Sequence, residues 1–345
     1  MKKLLSIIVL IFLVGAFYTS WAVENKATST TAGKNEKIGA AGSQFLKIAA
    51  GARGNAMGGA FCSVSNDLTS ITWNPAGVAD VKTLSGNFAY TQWFANFSHN
   101  FAAISLPLGE SFTFAAHVIS FGTDKAELTT LEKPEGTNTF YSIADLSVGA
   151  TIAGYLTDQF SFGITAKYVT NSFTDLSSNG IAFDIGTMYE TGIQGIKLGF
   201  AIMNLGTPMT YTGSDLNTTK EILKELNSMP LDAQYLTSSY NMPIVFRAGI
   251  SSMIIEQDEH KLLASGDFLT FSDVPEEFAL GVEYTWDNLI SLRGGYLFGH
   301  SQLGLAGGIG INYIGGGISG QIDYSISPTV DLGLVNRISV NLSVE

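Results

Sequence analysis

The chain has 345 residues, of which 38 are glycine, 8 are proline and 14% are charged, and its net charge is −12. That balance excludes the basic face a nucleic-acid backbone would need, and 46% hydrophobic with 11% aromatic residues excludes intrinsic disorder. One cysteine, Cys62, excludes an intrachain disulfide framework, and the four histidines (His99, His117, His260, His300) leave no pair at metal-ligand spacing.

Residues 1–22 have the layout of a secretory signal: Lys2 and Lys3, an apolar run from Leu4 to Tyr18, then Ser20-Trp21-Ala22 as a small-x-small cleavage site. Residues 23–40 are polar and read as a flexible leader. Residues 41–80 are rich in small residues and do not alternate. Asp67 is placed to cap a short helix over 68–73 that stops at Asn74-Pro75. This composition predicts a compact plug ahead of the first strand.

From residue 81 onward the pattern changes to alternation with period two. Phe278, Leu280, Val282, Tyr284 and Trp286 alternate with Glu277, Ala279, Gly281, Glu283 and Thr285. Similar runs fall near 85–92, 96–107, 111–121, 141–156, 159–173, 179–191, 195–204, 243–255, 261–271, 277–287, 289–298, 303–313, 316–326 and 335–344. The alternation slips only around Gly266-Asp267. No apolar run after Ala22 is long enough for a spanning helix. The polar faces are Gly, Ala, Ser and Thr with single charges, unlike the Lys/Glu-rich surface of a soluble sandwich. The runs approach the ten residues of a tilted membrane strand. Tyr90, Trp93, Tyr155, Tyr189, Trp286, Tyr296 and Tyr313 sit near run ends, where an interfacial girdle belongs. The reading is an all-β transmembrane antiparallel β-barrel of about fourteen strands, an even number as bacterial barrels require, with lipid as its first partner.

Lone charges fall on the inward rows: Asp145, Lys167, Asp184, Glu190, Lys197, Arg247, Glu283, Arg293, Asp323 and Arg337. The signs are balanced, which favours internal ion pairs over an ion-selective conduit. Between the seventh and eighth runs, Ile222, Leu223 and Leu226 follow Asp215 and Thr218 at helical spacing, predicting a helical loop near 214–228 that could offer a partner surface.

The residues resemble the PorV/PorQ family within the FadL-like superfamily of outer-membrane barrels. The resemblance rests on Ala52-Arg53-Gly54, Met57-Gly58-Gly59-Ala60, Asp67 and Trp73-Asn74-Pro75-Ala76-Gly77. It continues in Asn204-Leu205-Gly206, Pro243, Arg247-Ala248-Gly249, Gly281-Val282-Glu283-Tyr284, Leu292-Arg293-Gly294-Gly295-Tyr296, Asp323-Tyr324 and Arg337-Ile338-Ser339. It implies an N-terminal hatch over 41–80 inside a fourteen-strand barrel over 81–345 in the cell outer membrane. It also implies a role in type IX secretion, binding exported cargo and handing it to a surface attachment complex. The alternative it implies is FadL-like transport of hydrophobic small molecules. Candidate hatch residues for a ligand or partner are Arg53, Met57, Phe61, Asp67, Trp73, Asn74 and Pro75.

Nothing in the sequence calls for an enzyme, a cofactor or a metal. Gly315-x-Gly317-x-x-Gly320 matches a dinucleotide fingerprint, but no helix follows it. Asp258-Glu259-His260 is a polar loop short of a ligand set, and no Ser-His-Asp constellation can be placed. Cys62 reads as a small buried residue.

Overall fold

The computed structural model describes residues 41–220 and 231–344. The expected signal and leader lie outside the described residues. Fourteen antiparallel strands close into one barrel. They are β1 (Leu84–Gln92), β2 (Phe97–Leu108), β3 (Phe112–Thr123), β4 (Ile143–Thr157), β5 (Phe160–Phe173), β6 (Leu176–Glu190) and β7 (Lys197–Gly206). The second half comprises β8 (Val245–Glu256), β9 (His260–Phe271), β10 (Glu277–Trp286), β11 (Ile290–Phe298), β12 (Leu305–Gly315), β13 (Ile318–Pro328) and β14 (Leu334–Val344). Each strand pairs with its sequence neighbours, and β1 closes the ring on β14 from Leu84↔Val344 to Gln92↔Asn336. Closure leaves no free edge, so every backbone group of the wall finds its partner inside the ring, as an apolar bilayer demands.

Period two decides which face meets lipid. Phe88, Ile104, Leu280, Val282, Leu292 and Ile322 all point outward and are at least half exposed, while Ala89, Ala103, Ala279 and Glu283 point inward and are buried. Tyr90, Tyr189, Trp286, Tyr296 and Tyr313 face outward near strand ends, as a girdle requires. Two expected girdle members do not. Tyr155 shares the inward row with Ala153, and its hydroxyl donates to Asp80. Trp93 lies past the end of β1 in a turn closed by Trp93 N–H to the Phe97 carbonyl (2.9 Å), and Arg337 stacks over its ring. In both cases a lumenal polar partner outbids the interface.

The connections at one end are tight turns. The long ones, 124–142 and 207–244, lie at the opposite end, which the length rule for outer-membrane barrels assigns to the exterior. The helix expected near 214–228 is not what the described part of that loop forms. Ser214–Leu216 make a single 3-10 turn, and Asn217–Lys220 then pair as a short hairpin with Leu231–Gln234. The β-branched Thr218 and Thr219 suit a strand better than a helix. Ile222, Leu223 and Leu226 lie outside the described residues.

Ahead of β1, residues 41–80 fold as short turns: 3-10 at Gln44–Lys47, helix α1 at Ala52–Ala56, and 3-10 at Leu68–Thr72 and Pro75–Asp80. Asp67 caps the third of these in a capping box with Ser70, and Asn74 caps the fourth by accepting from Ala76 N–H. This hatch fills the lumen, and glycines of the wall mark where it seats. A Cβ on Gly281 would lie 2.5 Å from the Met57 carbonyl oxygen, on Gly199 2.5 Å from that of Cys62, and on Gly308 2.6 Å from Ala56 Cβ. Gly163 and Gly186 lie against Pro75 and Asn74, and Gly295 against Met57. Part of the high glycine content is therefore the space the hatch occupies.

Candidate functional site

Arg53 projects from α1 onto the wall. Its Nε and Nη2 donate to both Glu283 oxygens at 2.8 Å, and Nη1 donates to Asn66 Oδ1 at 2.6 Å, with Asp67 at 3.8 Å. Glu283 faces Arg293 directly across the β10–β11 ladder and accepts from its Nε at 2.5 Å. Arg293 Nη1 then donates to Asp323 Oδ1 at 2.6 Å, which also accepts from Gln321. The bidentate fork needs a planar guanidinium at position 53. This chain of alternating charges ties the hatch to β10 and β11 and, across β12, to β13.

A second pair sits on β5 and β6. Lys167 Nζ donates to Asp184 Oδ2 (2.8 Å) and to Asn204 Oδ1 (2.5 Å), while Asn204 N–H donates to Asp184 Oδ1 (2.6 Å). Asn204 adopts a left-handed conformation (φ 63°) where the β6–β7 register shifts, so the pair pins a bulge. Lys197 pairs with Glu190 at the turn end of the barrel. Asp145 is partly buried on β4 beside a smaller cavity of about 420 Å³ shared with Phe45, Phe121, Asn171 and Tyr211.

The remaining hatch candidates pack inside the plug. Met57 rests on Gly281 and Gly295, and Phe61 meets Trp73 edge to face (5.6 Å, 70°). Asn74 Nδ2 donates to the Cys62 carbonyl (2.9 Å) and to that of Thr187 (3.1 Å), and Pro75 lies against Gly163 and Gly186. Cys62 is fully buried, and that burial pushes its thiol pKa up. Asp267 of β9 accepts from the N–H groups of Phe61 and Cys62 at 2.9 and 2.8 Å.

Of the seven hatch candidates, Trp73 alone reaches the larger cavity, which occupies about 750 Å³ between the hatch and the loop end. Its walls include Phe45, Trp93, Phe97, Phe121, Leu269, Phe271, Arg247 and Arg337. Sequence reasoning found the two arginines and missed the apolar lining. The signal was present in β9: Leu269 and Phe271 share the inward row with Asp267, which is why the alternation slips there. Lys47, paired with Asp273 at 3.0 Å and lying over the Phe271 ring, was also missed. Among the described residues no cluster of His, Cys, Asp or Glu could hold a metal ion.

A profile of the PorV family, described as type IX secretion system protein PorV, matches residues 31–215. No curated protein matches the chain. Among solved structures, the Ralstonia pickettii toluene transporter TbuX is similar at a TM-score of 0.56 and 15% identity, over 85% of this chain and 98% of that one. The Pseudomonas putida toluene transporter TodX is similar at 0.57 and 12%, over 86% and 98%. The monoaromatic hydrocarbon channel CymD is similar at 0.54 and 12%, over 86% and 98%. At such identities the likeness establishes the fold alone, a FadL-like outer-membrane barrel.

Proposed function

Since the chain belongs to the PorV family, we propose that it serves type IX secretion as a non-enzymatic outer-membrane barrel. In this reading it binds exported cargo at its loop end and hands it to a surface attachment complex. The observation that carries the reading is the seated hatch. The lumen is filled by residues 41–80, tied to β10, β11 and β13 through Arg53, Glu283, Arg293 and Asp323. A polypeptide has no path through it, so work on proteins is left to the loops and the outer vestibule. Secreted cargo and other secretion-system components are then its partners, alongside outer-membrane lipid. A strain lacking this chain should retain proteins that share a folded C-terminal sorting domain, or release them unattached. Display of those proteins at the parental level would contradict the role.

One observation favours a second reading, FadL-like passage of hydrophobic small molecules: the apolar cavity above the hatch, in a fold shared with toluene transporters. Slower uptake of toluene in the deletion strain, with cargo display intact, would select it.

A further inference from the structure

We propose that the smaller cavity at the loop end is a docking pocket for one arginine side chain displayed on a partner protein. The inference rests on the reading that this end handles proteins, and it names what that end grips. Its starting point is a carboxylate on the inward rows that stays unbalanced. Lys167 takes Asp184, Lys197 takes Glu190, and Arg53 and Arg293 take Glu283 and Asp323. Asp145 has no cationic partner among the described residues. Its contacts are neutral: the Asn171 side chain, directly across the β4–β5 ladder, and the Ser172 N–H donate to it. Asn171 is itself fixed, because its Oδ1 accepts from the Ser43 and Tyr240 hydroxyls. These donors aim the carboxylate and leave its charge standing. The cations of the lumen are committed or distant. Lys47 is held by Asp273, and Arg247 faces Asp267 and Glu277. Arg337 shares a rung of the sheet with Asp145 through Thr91, His99 and Phe121, but four strand spacings put it about 19 Å away along the wall.

The walls set the shape of the guest. The pocket holds about 420 Å³, and Phe45, Phe121, Ile143, Phe173 and Tyr211 surround Asp145 with apolar and aromatic surface. Phe45 and Phe121 stack at 6.4 Å and 13°, and Tyr211 packs on Tyr240 at 5.5 Å, so the rings are held in place. A planar guanidinium packs on such ring faces while its fork meets the remaining lone pairs of the carboxylate. A lysine ammonium, more strongly hydrated, gains less there. The surroundings point to a protein as the carrier. Phe121 and Ile143 flank the loop 124–142, and Tyr211 belongs to the loop 207–244. The described residues of these two loops carry six carboxylates against three lysines, an excess that draws a cationic partner. The same loops hold Leu131 and Leu236 almost wholly in water. Apolar side chains held out on both bordering loops suit a protein surface around the arginine, which a free small cation does not supply.

The test is calorimetric titration of the full chain in amphipol with three capped tripeptides: acetyl-Leu-Arg-Leu-amide and its counterparts with lysine or citrulline at the centre. Citrulline keeps the shape of arginine without its charge. The expected result is saturable binding of the arginine peptide, about tenfold tighter than the citrulline peptide and tighter than the lysine peptide. Asp145→Asn, which keeps the size and removes the charge, should erase the preference for arginine over citrulline. Asp258→Asn, in a turn at the opposite end, should keep it. Heat-modifiable migration reports whether each variant folds. Should Asp145→Asn fail to fold, Tyr211→Ala, in a loop outside the barrel wall, serves in its place, with about a fivefold loss of arginine-peptide affinity expected. Absence of saturable binding, equal affinity for the arginine and citrulline peptides, tighter binding of the lysine peptide, or an unchanged result in a folded pocket variant would each overturn the proposal. The titration needs no cargo, so parental cargo display in the deletion strain would remove the secretion reading without touching this measurement.

Discussion

Lys167 and Asp184 form an ion pair with side chains 6% and 1% exposed, whereas the side chains of Lys197 and Glu190 are 38% and 42% exposed. The geometry is similar and the energetic weight is not. An exposed pair is worth ~0–1 kcal/mol, but removing one partner of a buried pair strands a charge and costs ~3–5 kcal/mol. Lys167→Met should therefore destabilise the barrel by about 3–5 kcal/mol in urea titrations followed by tryptophan fluorescence, and Lys197→Met by under ~1 kcal/mol. Equal effects would mean that the lumen is wet enough to solvate Asp184. Cys62 offers a second check at this scale. Fully buried, with its thiol pKa raised, it should resist maleimide in the folded barrel and react once the barrel is unfolded. The inward row of charges was legible in the sequence because alternation assigns faces. The partners were less so. Glu283 and Arg293 follow from one hairpin register, but Arg53 finds Glu283 only after the ring closes around the hatch.

At the scale of elements, the strands were the most readable part, and both ends of each of the fourteen strands fall within about three residues of those expected. Strong period-two patterning with turn chemistry at its breaks explains why. The seating of the hatch was not readable, since its wall partners are glycines and a missing side chain leaves no pattern. Gly281 makes the point. A valine there would run into the Met57 backbone, which cannot swing aside as a side chain can. Gly281→Val should leave the lipid face intact and the barrel assembled, but unseat α1. Trypsin should then cut after Arg53 in the variant and spare it in the parent, where both Glu283 oxygens hold it. Equal protection in both proteins would show that the hatch is held without this contact. The hairpin at 217–220 and 231–234 shows the opposite limit. Thr218 and Thr219 are β-branched and pair as strand, whereas the apolar residues whose spacing suggested a helix lie outside the described residues.

For the whole molecule, two interiors coexist: a lipid-facing surface of large apolar side chains, and a lumen in which a plug of small residues meets glycine, serine and paired charges. Placing an arginine on the first should fail where changes in the second are tolerated. Leu280→Arg, at mid-strand on the outer face, is expected to cost ~2–4 kcal/mol and to abolish the heat-modifiable band. Apolar alternation with small inward residues made this division visible before any coordinates. The cavity beyond the hatch was hidden, because its inward phenylalanines and leucines look like errors in the same alternation. In this barrel the hatch is fixed and occupies the lumen. Conductance of the purified chain in planar bilayers tests that most directly. A sealed barrel with no sustained ion current is predicted, and stable open steps of the kind large aqueous porins give would contradict it.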